Sequence, residues 1–394
     1  MIKVGTDFSG IGSPEAALKR LKIPHHNIFA CDIDKYAEKS FLELNNPDKF
    51  YRDITTRDYK EVPKLDLYVA GFPCQSFSLA GKRKGFDETR GTLFFNVAEF
   101  IKINQPECFI LENVKGLLSH DSGKTFQTIT DVLTNGGGTL NGQMGMDSIE
   151  DGLGYHVYTK VLNTKDYGIP QNRERIFIVG FKNWREFRFP KELPLDITLK
   201  DLLEGDVNEK YYLSENRINT LKTKDRSIGF TDVDTKKIAN CLIASYHKSP
   251  TDGEYIKVHS LYPRSSKTGK GGTGHLSKED GTTYCLDTGN NQAIEVKQLN
   301  QSKESGGKQP YQQNRVYDIN GLAPCLDTGS ERRNINTNRI RRLTPLECWR
   351  LQGFSDEEFY KAQKVNSDTQ LYKQAGNSIT VNVMVEIFKK IYLK

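Results

Sequence analysis

The stretch Gly71-Phe72-Pro73-Cys74-Gln75-Ser76-Phe77-Ser78 follows the apolar run Leu67-Tyr68-Val69-Ala70. A short β-prone run that stops at Gly and Pro reads as a buried strand ending abruptly, and open α/β sheets bind ligands outside the carboxyl ends of their strands. That places a single cysteine, Cys74, where a nucleophile would act. A buried structural thiol accounts for the octapeptide equally well, because free cysteine behaves as a small hydrophobe. The neighbouring segments decide between the two.

Upstream, Ile2-Lys3-Val4-Gly5-Thr6 alternates, Asp7-Phe8-Ser9-Gly10-Ile11-Gly12 turns, and Ser13-Pro14-Glu15 starts a helix with a capping residue and an early proline. A second strand, Asn27-Ile28-Phe29-Ala30-Cys31, ends at Asp32, about 20 residues past the glycines, where dinucleotide-type sites set an acid against ribose hydroxyls. The turn lacks the third glycine of an NAD site and the lysine of an ATP loop, which leaves an adenosine cofactor with a ribose and no phosphate. The unit then repeats. A helix spans 34–44, a short strand precedes Asp53-Ile54, a helix spans 91–103, and Cys108-Phe109-Ile110-Leu111 ends in Glu112-Asn113-Val114. Alone, Glu-Asn also reads as a helix cap; beside Cys74 it is a carboxylate on the same sheet edge.

The 394 residues suffice for two domains, and 36% hydrophobic with 27% charged residues is ordinary for a globular chain. No apolar run reaches bilayer length and the N-terminus enters a strand directly, so the chain reads as cytoplasmic, with no membrane partner. Seven cysteines, an odd number without any Cys-x-x-Cys pair, argue against a disulfide framework and a metal site. The net charge of +6 is uneven: residues 331–342 hold five arginines against one acid, a stripe that suits a polyanion. From about 186 to 340, Gly, Ser, Thr, Asn and Lys dominate and helical periodicity fades. Residues 135–154 are glycine-rich and read as a flexible surface excursion.

Five segments in order, Phe8-Ser9-Gly10-Ile11-Gly12, Gly71-Phe72-Pro73-Cys74-Gln75, Glu112-Asn113-Val114, Gln171-Asn172-Arg173-Glu174-Arg175 and Gln374-Ala375-Gly376-Asn377-Ser378, resemble the motif set of bacterial DNA (cytosine-5)-methyltransferases of the restriction–modification type. The resemblance implies an α/β protein: a Rossmann-like methyltransferase domain from 1–185 plus 343–394, and a smaller, mostly β target-recognition domain from 186–342. It implies S-adenosyl-L-methionine as cofactor and a covalent Cys74 intermediate on a flipped-out cytosine, with Glu112 donating to ring nitrogen 3 and Arg173 and Arg175 holding the base. Asn113 would fix the amine side of the base or the loop geometry. Phe8 would stack on adenine, Gly10 and Gly12 admit the methionine part, Asp32 bind the ribose with Ile33 as a small stacking surface beside it, and Asp53 with Ile54 meet the adenine. Asn377 and Ser378 would return the last helix, 379–393, to the first domain.

The same resemblance makes 78–90 a closing loop over double-stranded DNA, with Ser78, Lys82 and Arg83 on phosphates and Thr89 near the vacated base position. A weak repeat, Cys241-Leu242, Cys285-Leu286 and Cys325-Leu326, reads as three hairpins; Asp327 and Thr328 beside the third would read bases, and Arg332 and Arg333 would contact phosphates. A cognate restriction endonuclease would be a functional rather than physical partner of a monomer. A tRNA cytosine-5 methyltransferase would share these motifs, but the long variable region favours a reader of duplex DNA. A catalytically silent relative is disfavoured because Cys74, Glu112, Arg173 and Arg175 are all present.

Overall fold

Val4, Gly5, Thr6 and Asp7 are buried on both faces, the burial expected of a central strand in a sheet covered by helices on either side. That strand, β1 (Ile2–Asp7), leads to α1 (Ser13–Arg20), β2 (His25–Cys31), α2 (Lys35–Leu44), β3 (Lys49–Tyr51) and β4 (Leu67–Ala70). After it come α3 (Leu93–Asn104), β5 (Cys108–Val114), α4 (Lys124–Thr134), the short β6 (Thr139–Leu140) and β7 (Gln143–Met144), then β8 (His156–Asn163) and β9 (Glu174–Phe181). The chain closes with α5 (Pro345–Arg350), α6 (Asp356–Gln363), α7 (Asp368–Asn377) and α8 (Val381–Tyr392). These assignments come from a computed structural model that describes residues 1–73, 93–135, 137–141, 143–144, 152–205, 207–214, 231–232, 237–242, 244–248, 255–259 and 338–393.

The nine strands form one sheet in the order β3-β2-β1-β4-β5-β9-β8-β6-β7, an α/β, Rossmann-like fold. Strands β3 to β5 are parallel, and the order reverses between β1 and β4, so the carboxyl ends of those two strands flank a crevice. Strand β9 runs antiparallel to β5, pairing Val114 with Arg175. Its first residues therefore lie at the edge where β1, β4 and β5 end. Beneath that edge the core packs Phe29, Tyr68, Phe94, Phe100, Phe109 and Ile129.

Two local expectations change. Gly12, not Ser13, occupies the cap of α1, in a left-handed conformation (φ 84°) with no side-chain cap; a Cβ there would collide with the Asn45 side chain. Ser13 instead points its hydroxyl at Ser378 (2.8 Å). The glycine-rich 135–154 region is no loose excursion where it is described. β6 joins the sheet beside β8, and Gly152 packs so close to Asn135 that a Cβ would overlap its backbone.

By packing, the chain divides into one unit of Met1–Glu204, Asn219–Ile256 and Arg342–Lys394, and a second of Gly205–Ile218 and Lys257–Arg341. In the first, α8 packs on α1 and Arg20 donates to Asn382. In the second, the described residues include an antiparallel bridge between Tyr212 and Arg341. No helix among the described residues is long and apolar enough to cross a membrane.

At the base of the crevice, Arg57 and Asp7 form a bidentate pair (2.8 and 2.7 Å) with both side chains fully buried, and the Tyr68 hydroxyl donates to the same carboxylate (2.7 Å). The guanidinium also lies over Phe29 (4.2 Å) and Phe100 (4.7 Å). Breaking such a pair from one side strands a charge in a dry core. Arg57→Leu is therefore expected to lower the unfolding free energy by about 3–5 kcal/mol in a urea titration. Arg52→Ala, which removes an exposed pair with Glu38, should leave the midpoint where it is.

Candidate active site

Directly after the Asp7 anchor the backbone turns at Phe8, which takes a left-handed conformation (φ 53°), uncommon for a bulky residue and a mark of functional sites. Gly10 follows at φ 55°, with nothing within 4 Å of where a Cβ would stand, and its N–H donates to Asp32 Oδ2 (2.9 Å). Asp34 N–H donates to the other oxygen of Asp32 (2.8 Å). Asp32 itself borders the crevice. Burial raises the Asp32 carboxyl above its usual range, and the two backbone donors oppose that rise.

A cavity of about 350 Å³ opens there, lined by Phe8, Gly10, Asp32, Asp34, Gly71, Phe72, Pro73, Glu112, Asn113, Arg173, Arg175, Lys373 and Asn377 among others. Glu112 stands at the end of β5. Its Oε1 is 3.0 Å from Arg175 Nε, and a Cβ on Gly71 would meet its Oε2 at 3.4 Å, so the carboxyl lies across the segment leading to Cys74. Glu112 and Arg175 are diagonal neighbours on one face of the β5–β9 pair, where side chains reach each other. Burial pushes the Glu112 carboxyl upward, while Arg175 and Arg173 pull it down; the net direction is up. Asn113 donates to the Phe72 carbonyl (2.9 Å), tying the end of β5 to the segment after β4.

Arg173 is differently occupied. Its Nη1 donates to the Leu242 carbonyl (3.0 Å) and Cys241 Sγ (3.4 Å), and its Nη2 to the carbonyls of Gly376 (3.0 Å) and Ser378 (2.8 Å). Burial and the neighbouring Arg175 lower its pKa. Both terminal nitrogens are thus engaged by protein groups.

Of the other expected residues, Phe8, Gly10, Asp32 and Asn377 line the cavity, and Ser378 lines a smaller adjoining one. Ile33 is 82% exposed and outside the lining. Asp53 is engaged in its own turn, accepting from Thr55, and Ile54 belongs to the core; neither borders the cavity. Gly12 shapes the helix start behind it. Cys74, Ser78, Lys82, Arg83, Thr89, Asp327, Thr328, Arg332 and Arg333 lie outside the described residues, as do Cys285 and Cys325. In the first copy of the repeat, the described residues 240–242 and 244–245 have no strand structure, and Cys241 and Leu242 lie against Arg173. Sequence reasoning missed Lys373, whose ammonium pairs with Asp34 (2.6 Å) at the cavity wall. Its signal was a lysine directly before the Gln374–Ser378 motif and one helical turn from Asn377.

The model of the family described as "C-5 cytosine-specific DNA methylase" matches residues 3–141 and 145–393. The chain is 35% identical over 446 aligned positions to the orphan methyltransferase M.SPRI of Bacillus phage SPR, covering 99% of this chain and 97% of that protein. With the type II methyltransferase M.HpaII of Haemophilus parainfluenzae it shares 36% identity over 98% of this chain and 88% of the other. Among solved structures, the S. pombe Dnmt2 methyltransferase superposes with a TM-score of 0.60 at 17% identity, covering 99% of this chain and 97% of that one, a likeness of fold.

Behind the glycine turn, Glu15 is fully buried; Thr6 donates to its Oε1 (3.1 Å) and its Oε2 has no partner. Burial raises its pKa from 4.5 to about 7. An acid with a raised folded-state pKa holds its proton more tightly folded than unfolded, so it stabilises below the unfolded value and loses that contribution as pH rises through the folded one. The parent should therefore lose about 3 kcal/mol of stability relative to Glu15→Gln between acid and neutral pH, at 1.36 kcal/mol per pKa unit. Denaturant curves for both proteins across that range check it; parallel curves would exclude a titrating Glu15.

Proposed function

The chain belongs to the C-5 cytosine-specific DNA methylase family and is a DNA (cytosine-5)-methyltransferase, and on that premise we propose that it methylates a cytosine flipped out of duplex DNA, using S-adenosyl-L-methionine and a covalent bond to Cys74. The observation that carries this reading is the buried Glu112 carboxyl, held by Arg175 across the segment that leads to Cys74.

The cavity fits the cofactor. Its volume falls in the range of small-molecule sites. Asp32 presents two pinned oxygens suited to a ribose diol, Phe8 an aromatic ring, and Gly10 a backbone with no side chain in the way. When bound, S-adenosyl-L-methionine supplies an electrophilic methyl on a sulfonium. The protein's part is to make carbon 5 of cytosine, a poor nucleophile, able to accept it. Addition of the Cys74 thiolate to carbon 6 does so by converting the ring to an enamine. That addition places charge on the ring, and protonation at nitrogen 3 by Glu112 relieves it; burial, which pushes this carboxyl's pKa upward, favours its holding a proton. Arg175, beside Glu112, is placed to hold the base carbonyl.

The second packing unit we assign to target recognition, with Asp327 and Thr328 reading bases, Arg332 and Arg333 on phosphates, and residues 78–90 closing over the DNA. The relatives' names divide on biological role: M.HpaII is a type II methyltransferase and M.SPRI an orphan one. We take the restriction–modification role, in which methylation protects DNA from a cognate endonuclease.

Transfer of a labelled methyl group from the cofactor to duplex DNA, with tRNA as the comparison substrate, tests the activity; label on tRNA alone sinks the reading. Cys74→Ala should abolish turnover and lose the covalent adduct that the parent forms with 5-fluorocytosine DNA, while still binding DNA. Glu112→Gln keeps the shape but delivers no proton, so kcat should fall by roughly 10²–10⁴ with cofactor affinity barely changed. A kcat within twofold of the parent would make Glu112 structural.

A further inference from the structure

Residues 239–242 run alongside the Gln171-Asn172-Arg173 segment. Ala239 N–H donates to the Pro170 carbonyl (2.8 Å), Asn172 N–H to the Ala239 carbonyl (2.9 Å), and Leu242 N–H to Gln171 Oε1 (3.3 Å). Gln171 is itself fully buried, and its Nε2 donates to the Leu351 carbonyl (2.7 Å). These bonds fix the height of the next side chain along, Cys241, so that its sulphur receives Arg173 Nη1 (3.4 Å) and Arg175 Nη2 (4.0 Å). One sulphur atom thus touches both guanidiniums that approach Glu112.

The electrostatics give that contact a purpose. Arg173 is buried, and its four hydrogen-bond acceptors are three backbone carbonyls and this sulphur. Its Nε has no acceptor. Arg175, with the same charge, stands two residues away, and its Nε must stay on Glu112. Two like charges in a dry site repel, and a polarizable sulphur between them offsets part of that repulsion and fixes their separation. Sulphur also reaches further than oxygen, since its bond to Cβ is longer, so a serine hydroxyl at the same place would hold Arg173 from further away and more weakly.

We propose that Cys241 is a positioning residue for methyl transfer: its sulphur sets the spacing of Arg173 and Arg175, and through Arg175 the placement of Glu112 against the target cytosine. The inference rests on the methyltransferase reading above. It gives the first Cys-Leu copy a place in the architecture of the reacting site. The chain crosses from this unit to the other just beyond, after Ile256, so the same segment leads from the arginines to the part assigned to recognition.

Cys241→Val removes the acceptor at similar volume, and Cys241→Ser keeps a shorter one. With the full-length enzyme, duplex DNA and labelled cofactor, Cys241→Val should lower kcat by about tenfold, the scale of one hydrogen bond to a charged group. Its KM for cofactor and its DNA affinity should stay within about twofold of the parent, because no group touching either is removed. Cys241→Ser should fall between the two. A merely structural role would move the melting temperature and both affinities with kcat, and would show no graded rescue by serine. Parent-like kcat in Cys241→Val, or a loss confined to DNA or cofactor affinity, overturns the inference while leaving the activity standing. A parent that methylates no DNA overturns both. If Cys241→Val does not fold, Cys241→Ala decides on the same criteria.

Discussion

A buried guanidinium with no carboxylate of its own must be met by carbonyls, and carbonyls point inward in sufficient number only where segments end or turn. Arg173 draws on three such places: Leu242, Gly376 and Ser378. Four hydrogen bonds to one charge, each stronger than a neutral one, tie the middle of the chain and its C-terminal region to the start of β9. Loss of a carbonyl tie would leave part of a charge unsolvated in the interior, which costs more than loss of a neutral hydrogen bond. The cavity inherits its shape from this constraint, because Gly376 and Asn377 form one wall and Arg173 itself another.

A second buried charge does similar work from below. Asp7 is the last residue of β1, so the Arg57 clamp and the Tyr68 hydroxyl hold the point from which Phe8 departs in its left-handed conformation. A non-glycine residue in that region costs on the order of 1–3 kcal/mol, and such strain persists only where surrounding contacts over-determine it. The aromatic rings around Arg57 supply that rigidity without competing for its hydrogen bonds. Phe8 is consequently presented at the crevice in one orientation before any ligand arrives.

Glu112 shows which of two opposing effects wins. Two guanidiniums close by would by themselves hold a carboxyl ionised, yet burial outweighs them and the pKa rises. The difference from Asp32 is instructive. Asp32 is also raised by burial, but backbone N–H donors face both of its oxygens, whereas among the described residues Glu112 has one ion-pair contact, on one oxygen. A carboxyl with one partner is better placed to give up or take a proton than one clasped on both sides.

Apolar runs such as Leu67-Tyr68-Val69-Ala70 and Cys108-Phe109-Ile110-Leu111 determined from sequence alone that there are buried strands here, because burial on both faces demands continuous apolar residues; the first stops before Gly71, whereas the second runs on through Glu112 to Val114. Asp32 and the glycines at 10 and 12 were legible for the same local reason: turns and strand ends are written in neighbouring residues. The antiparallel entry of β9 was not legible, and it is what sets Arg175 opposite Val114 and within reach of Glu112. Nor was the hold of Gly376 and Cys241 on Arg173, since those partners lie 203 and 68 residues away. Hydrogen bonds over such separations leave no periodicity in the sequence. Local chemistry fixed which side chains stand at the strand ends, and only the closed tertiary structure, where a buried charge must find acceptors, decided which of them face one another.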